Sequence, residues 1–319
     1  MKSIFKNTWQ LAGHINQLAN SGDTLVTRIL KEPIIITRQE DSSIKSFYNV
    51  CQHRAGPLLY ENQCIKKIQC KYHGWIYNRN GILKNARGFT GDKSFNKEPY
   101  NLKSIKTNIW KGLIFINFNE NTESVNNYLR DIKNRISPIN FEHLKFSKRT
   151  SYYINCNWKV YIDNYLEGLH IPIVHPRLNK TINYKSYQTE LFKNCSLQHA
   201  PLLVDENPYS KLVSEDSRVY YYTIFPNILL NIGPGRLQTN VIEPVNKNSC
   251  VVHFDYFFEN INNKEEDYEF SELIQQEDIK ICEDVQKGLK SNGYDIGQLS
   301  STHETGVSHF QNILKSYLK

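Results

Sequence analysis

Residues 51–75 read Cys51-Gln-His53-Arg-Ala-Gly-Pro-Leu-Leu-Tyr-Glu-Asn-Gln-Cys-Ile-Lys-Lys-Ile-Gln-Cys70-Lys-Tyr-His73-Gly-Trp75, and they place one Cys and one His on each of two short segments. Sixteen residues separate His53 from Cys70. A Gly-Pro pair follows the first segment and a Gly-Trp pair the second, which predicts that the chain turns sharply after each. Two thiolates and two imidazoles on adjacent loops form a four-ligand set.

Two kinds of centre use such a set. A structural zinc accepts two Cys and two His in a tetrahedron, but zinc fingers usually pair Cys with Cys and His with His. In a Rieske [2Fe–2S] centre, two Cys hold one iron and two His hold the other. Because each loop here offers one ligand of each kind and can reach both irons, the pattern favours a Rieske cluster over zinc. Cys64, between the loops, does not fit the pattern and is predicted to be structural.

The segments around these loops are rich in Val, Ile and Thr and are broken by Asp and Gly, which predicts short β-strands. The predicted strands are 8–12, 25–30, 33–38, 43–50, 105–109 and 112–119. We therefore predict a small antiparallel β domain over residues 1–135. Polar residues 119–127 are expected to form a surface connection, and residues 128–136 a short helix.

A second distinctive stretch, residues 157–176, reads Asn-Trp-Lys-Val-Tyr-Ile-Asp-Asn-Tyr-Leu-Glu-Gly-Leu-His-Ile-Pro-Ile-Val-His-Pro. On one continuous helix Asp163, Glu167 and His170 fall at i, i+4 and i+7, a polar face that is costly to bury. Pro172 cannot continue this helix, so we expect the helix to end near His170 and the chain to bring His175 back to the same point. Two His beside carboxylates indicate a metal site.

The C-terminal part supplies a candidate third ligand. Residues 266–289 carry apolar residues three or four apart, which predicts a long helix. Asp278 lies on its apolar face and must be neutral, paired or bound to metal, because an isolated buried charge costs too much. We therefore predict a facial triad of His170, His175 and Asp278. Such a triad leaves open positions on Fe(II) for dioxygen and suits non-haem oxygenases.

Other acids lie close to these ligands. Glu277 and Asp284 are predicted to lie on the flanks or the solvent face of the long helix. Asp163 and Glu167 share the metal face, but the triad is already complete. We therefore predict that they support the ligands by hydrogen bonds and do not bind the metal.

Between the metal-binding segments the sequence predicts strands at 217–224, 227–231, 238–243 and 250–258, separated by turn residues. They form an antiparallel meander whose concave face can receive the two helices. Of the run Tyr220-Tyr221-Tyr222, alternation allows only some members to face a pocket. We predict an α+β fold in which residues 136–319 form a catalytic domain with a mononuclear non-haem iron.

Composition limits the classes of function. The 319 residues suffice for two domains, and no run of about 20 apolar residues could form a membrane span. The N-terminal residues lack the apolar core of a signal peptide, so we expect a cytoplasmic protein. The net charge is +7, but Lys and Arg are scattered, which favours a solvated basic surface that attracts an acidic electron carrier over nucleic-acid binding. The seven Cys are expected to be ligands or buried thiols.

These segments together resemble the α subunits of Rieske non-haem iron oxygenases, also called aromatic-ring-hydroxylating dioxygenases. The resemblance covers nearly the whole chain and rests on specific motifs. They are Cys-x-His with Cys-x-x-His at 51–73, Asn-Trp-Lys and Asp-Asn-Tyr-Leu-Glu-Gly-x-His at 157–170, and Gln-Glu-Asp-Ile with Cys-Glu-x-Val-Gln-x-Gly-Leu at 276–289. The third motif and the tail look most like the branch with choline monooxygenase-like and carnitine oxygenase-like members.

The resemblance implies an N-terminal Rieske domain, a helix-grip catalytic domain and a head-to-tail homotrimer. In such a ring the cluster of one subunit lies close to the iron of its neighbour. The carboxylate that links a cluster His to an iron His across this interface maps to Glu167. The chain begins almost at its first predicted strand, without the N-terminal extension that adds to subunit contacts in many relatives.

The implied activity is that of a terminal oxygenase. A separate flavin or iron–sulfur reductase would pass electrons from NAD(P)H to the cluster, and O₂ would be used to hydroxylate or oxidatively demethylate a small organic substrate such as a quaternary amine. An aromatic cage could hold that cation. One alternative is an aromatic-ring dihydroxylating dioxygenase. An alternative from a different class is a Rieske electron-transfer protein without oxygenase activity, which would leave the second ligand set unexplained.

Overall fold

The computed structural model describes residues 2–89, 91–203, 214–259 and 264–318. Its contacts divide the chain into two compact units, residues 1–127 and 128–319. The domain boundary that we predicted after residue 135 falls in the first helical segment of the second unit. In the described part of the chain, no helix is long and apolar enough to cross a membrane.

The first unit is built from antiparallel strands. A six-stranded sheet has the order β1-β9-β8-β4-β3-β2, and a three-stranded sheet has the order β5-β6-β7. The elements are α1 (Lys2–Asn7), β1 (Gln10–His14), β2 (Thr24–Ile29), β3 (Glu32–Arg38), β4 (Ile44–Tyr48), β5 (Ile68–Gln69), β6 (Ile76–Tyr77), β7 (Leu83–Asn85), β8 (Ser104–Trp110) and β9 (Leu113–Asn117), with 3₁₀ turns at Ile15–Gln17 and Glu98–Tyr100.

Two apolar clusters hold this unit together. One contains alternate residues of β3 and β9, such as Ile34 and Ile36 with Ile114 and Ile116, all fully buried. The other surrounds the small sheet and includes Trp75 with the two loop cysteines. The antiparallel β domain that the sequence predicts is therefore present, and its small sheet carries the loops of interest.

The second unit is a seven-stranded antiparallel sheet with the order β10-β16-β15-β14-β13-β12-β11, together with helices. The helix α2 (Val125–Tyr128) spans the junction of the two units. The remaining elements are α3 (Lys133–Ile136), β10 (Lys145–Ile154), α4 (Trp158–Tyr165), α5 (Ile171–Val174), α6 (Pro176–Asn179), β11 (Gln188–Phe192), β12 (Cys195–Pro201), β13 (Arg218–Ile224), β14 (Ile228–Gly233), β15 (Arg236–Asn246), β16 (Ser249–Phe258), α7 (Lys264–Gly288) and α8 (Thr305–Ser316), with 3₁₀ turns at Arg130–Ile132 and Tyr184–Ser186.

The predicted meander corresponds to β13–β16. Gly233 pairs with Arg236, so Pro234 and Gly235 form a two-residue turn. The φ of Gly235 is +66°, a left-handed conformation that glycine adopts without strain. The strands β10, β11 and β12 were not predicted, because polar residues interrupt their apolar alternation.

Asn157 is the N-cap of the helix α4, and its side chain accepts a hydrogen bond from the backbone N–H of Lys159. Its buried face packs on α7, where the Tyr161 hydroxyl donates to Gln275 Oε1 at 2.6 Å. The Gln286 side chain of α7 also accepts a hydrogen bond from the Asn157 backbone at 2.7 Å. These bonds fix the start of the 157–176 segment on the long helix.

The prediction of a single helix ending near His170 is wrong. The helix α4 ends at Tyr165, and His170 is instead the N-cap of the short helix α5. The Glu167 carboxylate accepts the backbone N–H groups of Leu169 and His170, which favours a break in the helix before the next one starts. Pro172 lies in the first turn of α5, where a missing N–H costs nothing.

Candidate metal centres and substrate cavity

The two loops of the first unit have the same backbone geometry. The Cys51 N–H donates to the carbonyl of Gly56, and the Ala55 N–H donates to the carbonyl of Cys51. The second loop repeats this pattern, because Cys70 N–H donates to Trp75 and Gly74 N–H donates to Cys70. The fourth residue after each Cys is left-handed, with φ of +55° at Ala55 and +73° at Gly74. Each loop therefore turns back on its Cys and encloses the space in front of it.

The two imidazoles on these loops lie against each other, and the two thiols are close enough to interact. Both thiols are buried, and the imidazole rings of His53 and His73 lie 4.6 Å apart between centroids. The ring of His53 stacks on Trp75 at 4.7 Å, which fixes its orientation. Among the described residues, the buried Nδ1 of His53 has no hydrogen-bond partner. A buried imidazole nitrogen without a hydrogen-bond partner, on loops that also carry two buried thiols, is what a metal ligand would leave, so this donor set fits a [2Fe–2S] cluster.

Burial shifts the pKa of a Cys and of a His on these loops. Burial raises the pKa of the Cys51 thiol, against a hydrogen bond from the Tyr77 hydroxyl, whose oxygen lies 3.2 Å from the sulfur. Burial and the nearby charges of His73 and Arg54 lower the pKa of His53, which keeps the ring neutral. Cys64 is exposed, and its sulfur lies 3.8 Å from the Ser21 carbonyl oxygen. This agrees with its exclusion from the predicted ligand set.

The second unit brings His170, His175 and Asp278 together. One ligand atom from each residue lies within 4.8 Å of the others. The Asp278 Oδ1 atom is 3.1 Å from Nε2 of His175 and 3.9 Å from Nε2 of His170. Two imidazoles and a carboxylate converging in this way fit the facial triad of a non-haem Fe(II) site.

Carboxylates hold the opposite nitrogen of each imidazole. His170 Nδ1 donates to Glu167 Oε1 at 2.6 Å, and His175 Nδ1 donates to Glu277 Oε2 at 2.7 Å. Such bonds fix the tautomer and direct Nε2 towards a metal. Although burial by itself lowers the pKa of His175, the neighbouring carboxylates of Asp278 and Glu277 raise it overall. Each histidine of the donor set therefore has the carboxylate partner on Nδ1 that metal-binding histidines usually have.

Two residues that support the triad were missed or misplaced from the sequence. Glu277 was predicted to lie on a flank or solvent face of the helix, but its carboxylate orients His175. Asn164 was not considered, yet its side-chain N–H donates to Asp278 Oδ1 at 2.6 Å. Asp284 is exposed as predicted and pairs with Lys280 and Lys287. The motif Gln-Glu-Asp at 276–278 is the signal that could have identified Glu277, because it sets two acids side by side.

Asp163 has a different environment from the one predicted. Its Oδ2 atom accepts a hydrogen bond from Gln311 of α8 at 3.2 Å, and no described contact joins it to either His. Its Oδ1 atom is buried without a hydrogen-bond partner among the described residues. The geometry therefore gives no support to its predicted role beside the metal ligands.

Burial raises the pKa of Asp163 to about 6 from 3.8, against the effects of Gln311 and Lys159. Above pH 6 the carboxylate is charged in both states, so its burial destabilises the fold, and this cost disappears as the pH falls towards 4. We expect Asp163→Asn to stabilise the catalytic unit by about 2 kcal/mol at pH 7.5 and by much less at pH 4.5. Calorimetric unfolding at the two pH values measures this difference.

The control for this prediction is Asp284→Asn, whose exposed carboxylate has a pKa lowered by Lys287 and Lys280. This variant is not expected to be stabilised at pH 7.5. Iron content is measured on both variants. If Asp163→Asn lost mononuclear iron and was not stabilised, Asp163 would act on the ligands as the sequence predicted.

A cavity of about 140 Å³ opens onto the triad. This is room for on the order of ten water-sized positions, and so for a small organic molecule. Of the tyrosine run, Tyr221 lines the cavity and Tyr222 is fully buried elsewhere, as the predicted alternation requires. The aromatic lining residues are Tyr161, Tyr165, Tyr187, Tyr221, Phe254 and Phe270.

Comparison with known proteins identifies both parts of the chain. Residues 8–96 match the Rieske [2Fe-2S] domain, and residues 141–319 match the ring hydroxylating alpha subunit (catalytic domain). Choline monooxygenase of Arabidopsis thaliana is 30% identical over 99% of this chain and 78% of its own length. The carnitine monooxygenase oxygenase subunit of Escherichia coli (strain K12) is 28% identical over 100% of this chain and 89% of its own.

The fold is also similar to that of a solved structure. That protein is a quaternary ammonium Rieske monooxygenase, described as giving insights into carnitine oxidation and inter-subunit electron transfer. The TM-score is 0.87 at 27% identity, with 100% of this chain and 91% of the other covered. The match to the catalytic domain does not favour the alternative of a Rieske electron-transfer protein. The chain belongs to the Rieske non-haem iron oxygenases, as an α subunit with a Rieske [2Fe–2S] domain followed by a ring-hydroxylating catalytic domain.

Proposed function

We propose that this chain is the terminal oxygenase of a monooxygenase system that oxidises a quaternary ammonium compound, with electrons from a separate NAD(P)H-dependent flavin or iron–sulfur reductase. The observation that carries the proposal is the cavity. The candidate iron ligands line it together with four tyrosines, which are Tyr161, Tyr165, Tyr187 and Tyr221. Relatives named for choline and carnitine oxidation, of which the chain covers 78% and 89%, support it. They do not favour the alternative of an aromatic-ring dihydroxylating dioxygenase.

The proposed ligands are Cys51, His53, Cys70 and His73 for the cluster, and His170, His175 and Asp278 for the mononuclear iron. When bound, the cluster supplies single electrons and the Fe(II) supplies the site of dioxygen activation. Glu167 and Glu277 each hold an imidazole in the tautomer whose Nε2 faces the cavity. Asn164 holds the Asp278 carboxylate by its donated hydrogen bond.

The tyrosines are proposed to bind the substrate cation. The rings of Tyr165 and Tyr221 lie 6.2 Å apart between centroids and are nearly perpendicular, at 87°. The Tyr165 hydroxyl donates to Asn231 Oδ1 at 2.8 Å, and the Tyr187 hydroxyl donates to Gln198 Oε1 at 3.0 Å. These bonds orient the rings, whose faces attract a cation that has no N–H to donate. The same rings exclude water from the space beside the triad.

We propose that the chain works as a homotrimer in which Glu167 faces a cluster histidine of a neighbouring subunit. Its carboxylate is held by one bond to His170 Nδ1 and by backbone N–H groups. This fixes its position at the edge of the iron site. The relative described for inter-subunit electron transfer supports this arrangement.

The distribution of charge supports docking of an acidic reductase. Residues 51–97 contain nine Lys and Arg but only two Asp and Glu, so this segment accounts for the whole net charge of +7. The basic residues are thus less evenly scattered than we predicted. Arg54 and Lys71 are exposed on the two loops that carry the cluster ligands. A positive surface there would attract an acidic electron carrier. The cytoplasmic location remains a prediction.

Metal content and oxygen uptake test the proposal together. The purified protein is expected to contain about three irons per chain, two in the cluster and one in the triad. With a surrogate reductase, oxygen uptake should depend on added trimethylammonium compounds and not on benzoate-type aromatic acids. A protein with about two irons per chain, or uptake that depends only on aromatic acids, would contradict the proposed function.

A further inference from the structure

Three buried cysteines meet in the second unit, outside the candidate iron site. They are Cys156, which lies between β10 and α4, Cys250 of β16 and Cys282 of α7, and each is at most 1% exposed. Cys156 is close enough to the other two to share a hydrogen bond with each. A single buried thiol is usually inert, but a thiol with thiol neighbours can be oxidised to a disulfide.

The residues on either side of Cys156 hold it against α7. Asn155 donates its backbone and side-chain N–H groups to Glu283 Oε1, both at 2.9 Å. The Asn157 backbone N–H donates to Gln286 Oε1 at 2.7 Å. The cysteine of α7 directly precedes the first of these acceptors in the chain. The contact between the two cysteines is therefore set by the surrounding backbone and not by the thiols alone.

The register of the sheet places Cys250 beside the same segment. Cys250 pairs with Ile154, which is two residues before Cys156. The Asn157 side chain donates to the carbonyl oxygen of Lys247, three residues before Cys250, at 2.8 Å. The strand β16 and the helix α7 therefore approach Cys156 from two sides.

The neighbouring thiols make Cys156 unusually acidic. The S–H groups of Cys250 and Cys282 donate to its sulfur and, against burial, lower the pKa of the Cys156 thiol to about 4. The thiolate is the form of cysteine that reacts with oxidants. In contrast, burial raises the pKa of Cys195, a buried thiol of β12. The two neighbours therefore distinguish Cys156 from another buried thiol of the same unit.

We propose that these three thiols form a peroxide-reactive site, in which Cys156 is oxidised and forms a disulfide with Cys250 or Cys282. The Cys156 thiolate attacks hydrogen peroxide, the O–O bond breaks and hydroxide leaves, which gives a sulfenic acid. A neighbouring thiol loses its proton and attacks the oxidised sulfur, so that an S–S bond forms and hydroxide leaves. In total, two thiols lose two electrons and two protons, and one molecule of hydrogen peroxide becomes two of water.

A disulfide at this place would join segments that carry the candidate iron site. Cys282 follows Asp278 by four residues on α7, which is about one helical turn or roughly 6 Å along the axis. Cys156 directly precedes the N-cap of α4. The site itself goes beyond the proposed oxygenase function and does not rest on it.

The test compares thiols within the iron-loaded full chain in its oxidised form. The protein is treated with hydrogen peroxide, catalase removes the excess, and the remaining thiols are alkylated with iodoacetamide as the chain unfolds. Peptide mass spectrometry is expected to show Cys156 linked to Cys250 or Cys282, and dithiothreitol should break the link. Cys156 should lose its free thiol at least about tenfold faster than Cys195. The visible absorption of the [2Fe–2S] cluster is recorded throughout, so that only protein with an intact cluster is compared.

Variants identify the thiol that reacts first. Cys156→Ala should leave Cys250 and Cys282 reduced under the same treatment, because the reacting thiolate is gone. Cys156→Ser is the second variant, since its hydroxyl can keep the hydrogen bonds that alanine loses. Cys195→Ala is the matched control and should form the disulfide as the wild type does.

Three results would overturn the proposal. One is a wild-type Cys156 thiol that survives the treatment as long as Cys195. Another is oxidation of Cys156 to a sulfinic acid without a disulfide. The third is a disulfide between Cys250 and Cys282 in either variant of Cys156. If neither variant folds, the comparison of thiols within the wild-type protein decides, and none of these measurements needs substrate or reductase.

Discussion

Glu167→Gln is expected to keep both metal centres and to lose about 100-fold in turnover with reductase. The amide keeps the size of the carboxylate and can still accept the backbone N–H groups of Leu169 and His170. It loses the negative charge that holds His170 Nδ1–H at 2.6 Å and that, as we propose, also binds a cluster histidine of the neighbouring subunit. The cluster signal in electron paramagnetic resonance and the iron content should remain those of the wild type.

Glu277→Gln is the matched control, because Glu277 holds His175, the other imidazole of the candidate iron site, in the same way. Each variant is loaded with iron, its cluster is reduced, and the rate of cluster reoxidation is followed by stopped flow with substrate and dioxygen. Glu167→Gln should slow reoxidation, whereas Glu277→Gln should weaken iron binding but leave reoxidation of loaded protein near the wild-type rate. Equal effects of the two variants on reoxidation would show that Glu167 only orients His170 and does not bridge subunits.

Local sequence patterns predicted the parts of the fold that depend on near neighbours. The cluster loops are such a case, since each Cys, its His and the following turn lie within six residues, and the two loops adopt one geometry. The strands β13–β16 are another, because glycine and asparagine turns separate clear alternations. The Rieske domain, the catalytic domain and the α+β class could be predicted from such local patterns, and comparison with known families confirmed them.

The contacts that complete the candidate iron site join residues far apart in the chain. Asn164 and Asp278 are 114 positions apart, and His175 and Glu277 are 102 apart. Helical periodicity cannot identify such partners, so the roles of Asn164 and Glu277 were both missed. The wrong prediction of one helix from Asn157 to His170 has a related cause. A side-chain bond of Glu167 to the backbone competes with helical continuation, and spacing alone does not reveal it.

Asp278→Ala is expected to lower the iron content from about three to about two per chain and to abolish substrate-dependent oxygen uptake. His170 and His175 would remain as two neutral ligands, without the carboxylate that now lies 3.1 Å from His175 Nε2. Two imidazoles without an anionic ligand bind Fe(II) weakly, so the iron should be lost on desalting. The cluster lies in the other unit of the chain and should keep its visible absorption and its electron paramagnetic resonance signal.

Asp284→Ala provides the control on the same helix. Its carboxylate is exposed and pairs with Lys280 and Lys287, so its removal should leave about three irons per chain and normal uptake.

An intermediate case is Asn164→Ala, which removes the donor to Asp278 and should weaken iron binding about 10- to 100-fold without preventing it. If Asp278→Ala retained all its iron, the third ligand would have to be another residue. Glu277 would then be the first to test, because it is the other acid of α7 that contacts the histidine pair.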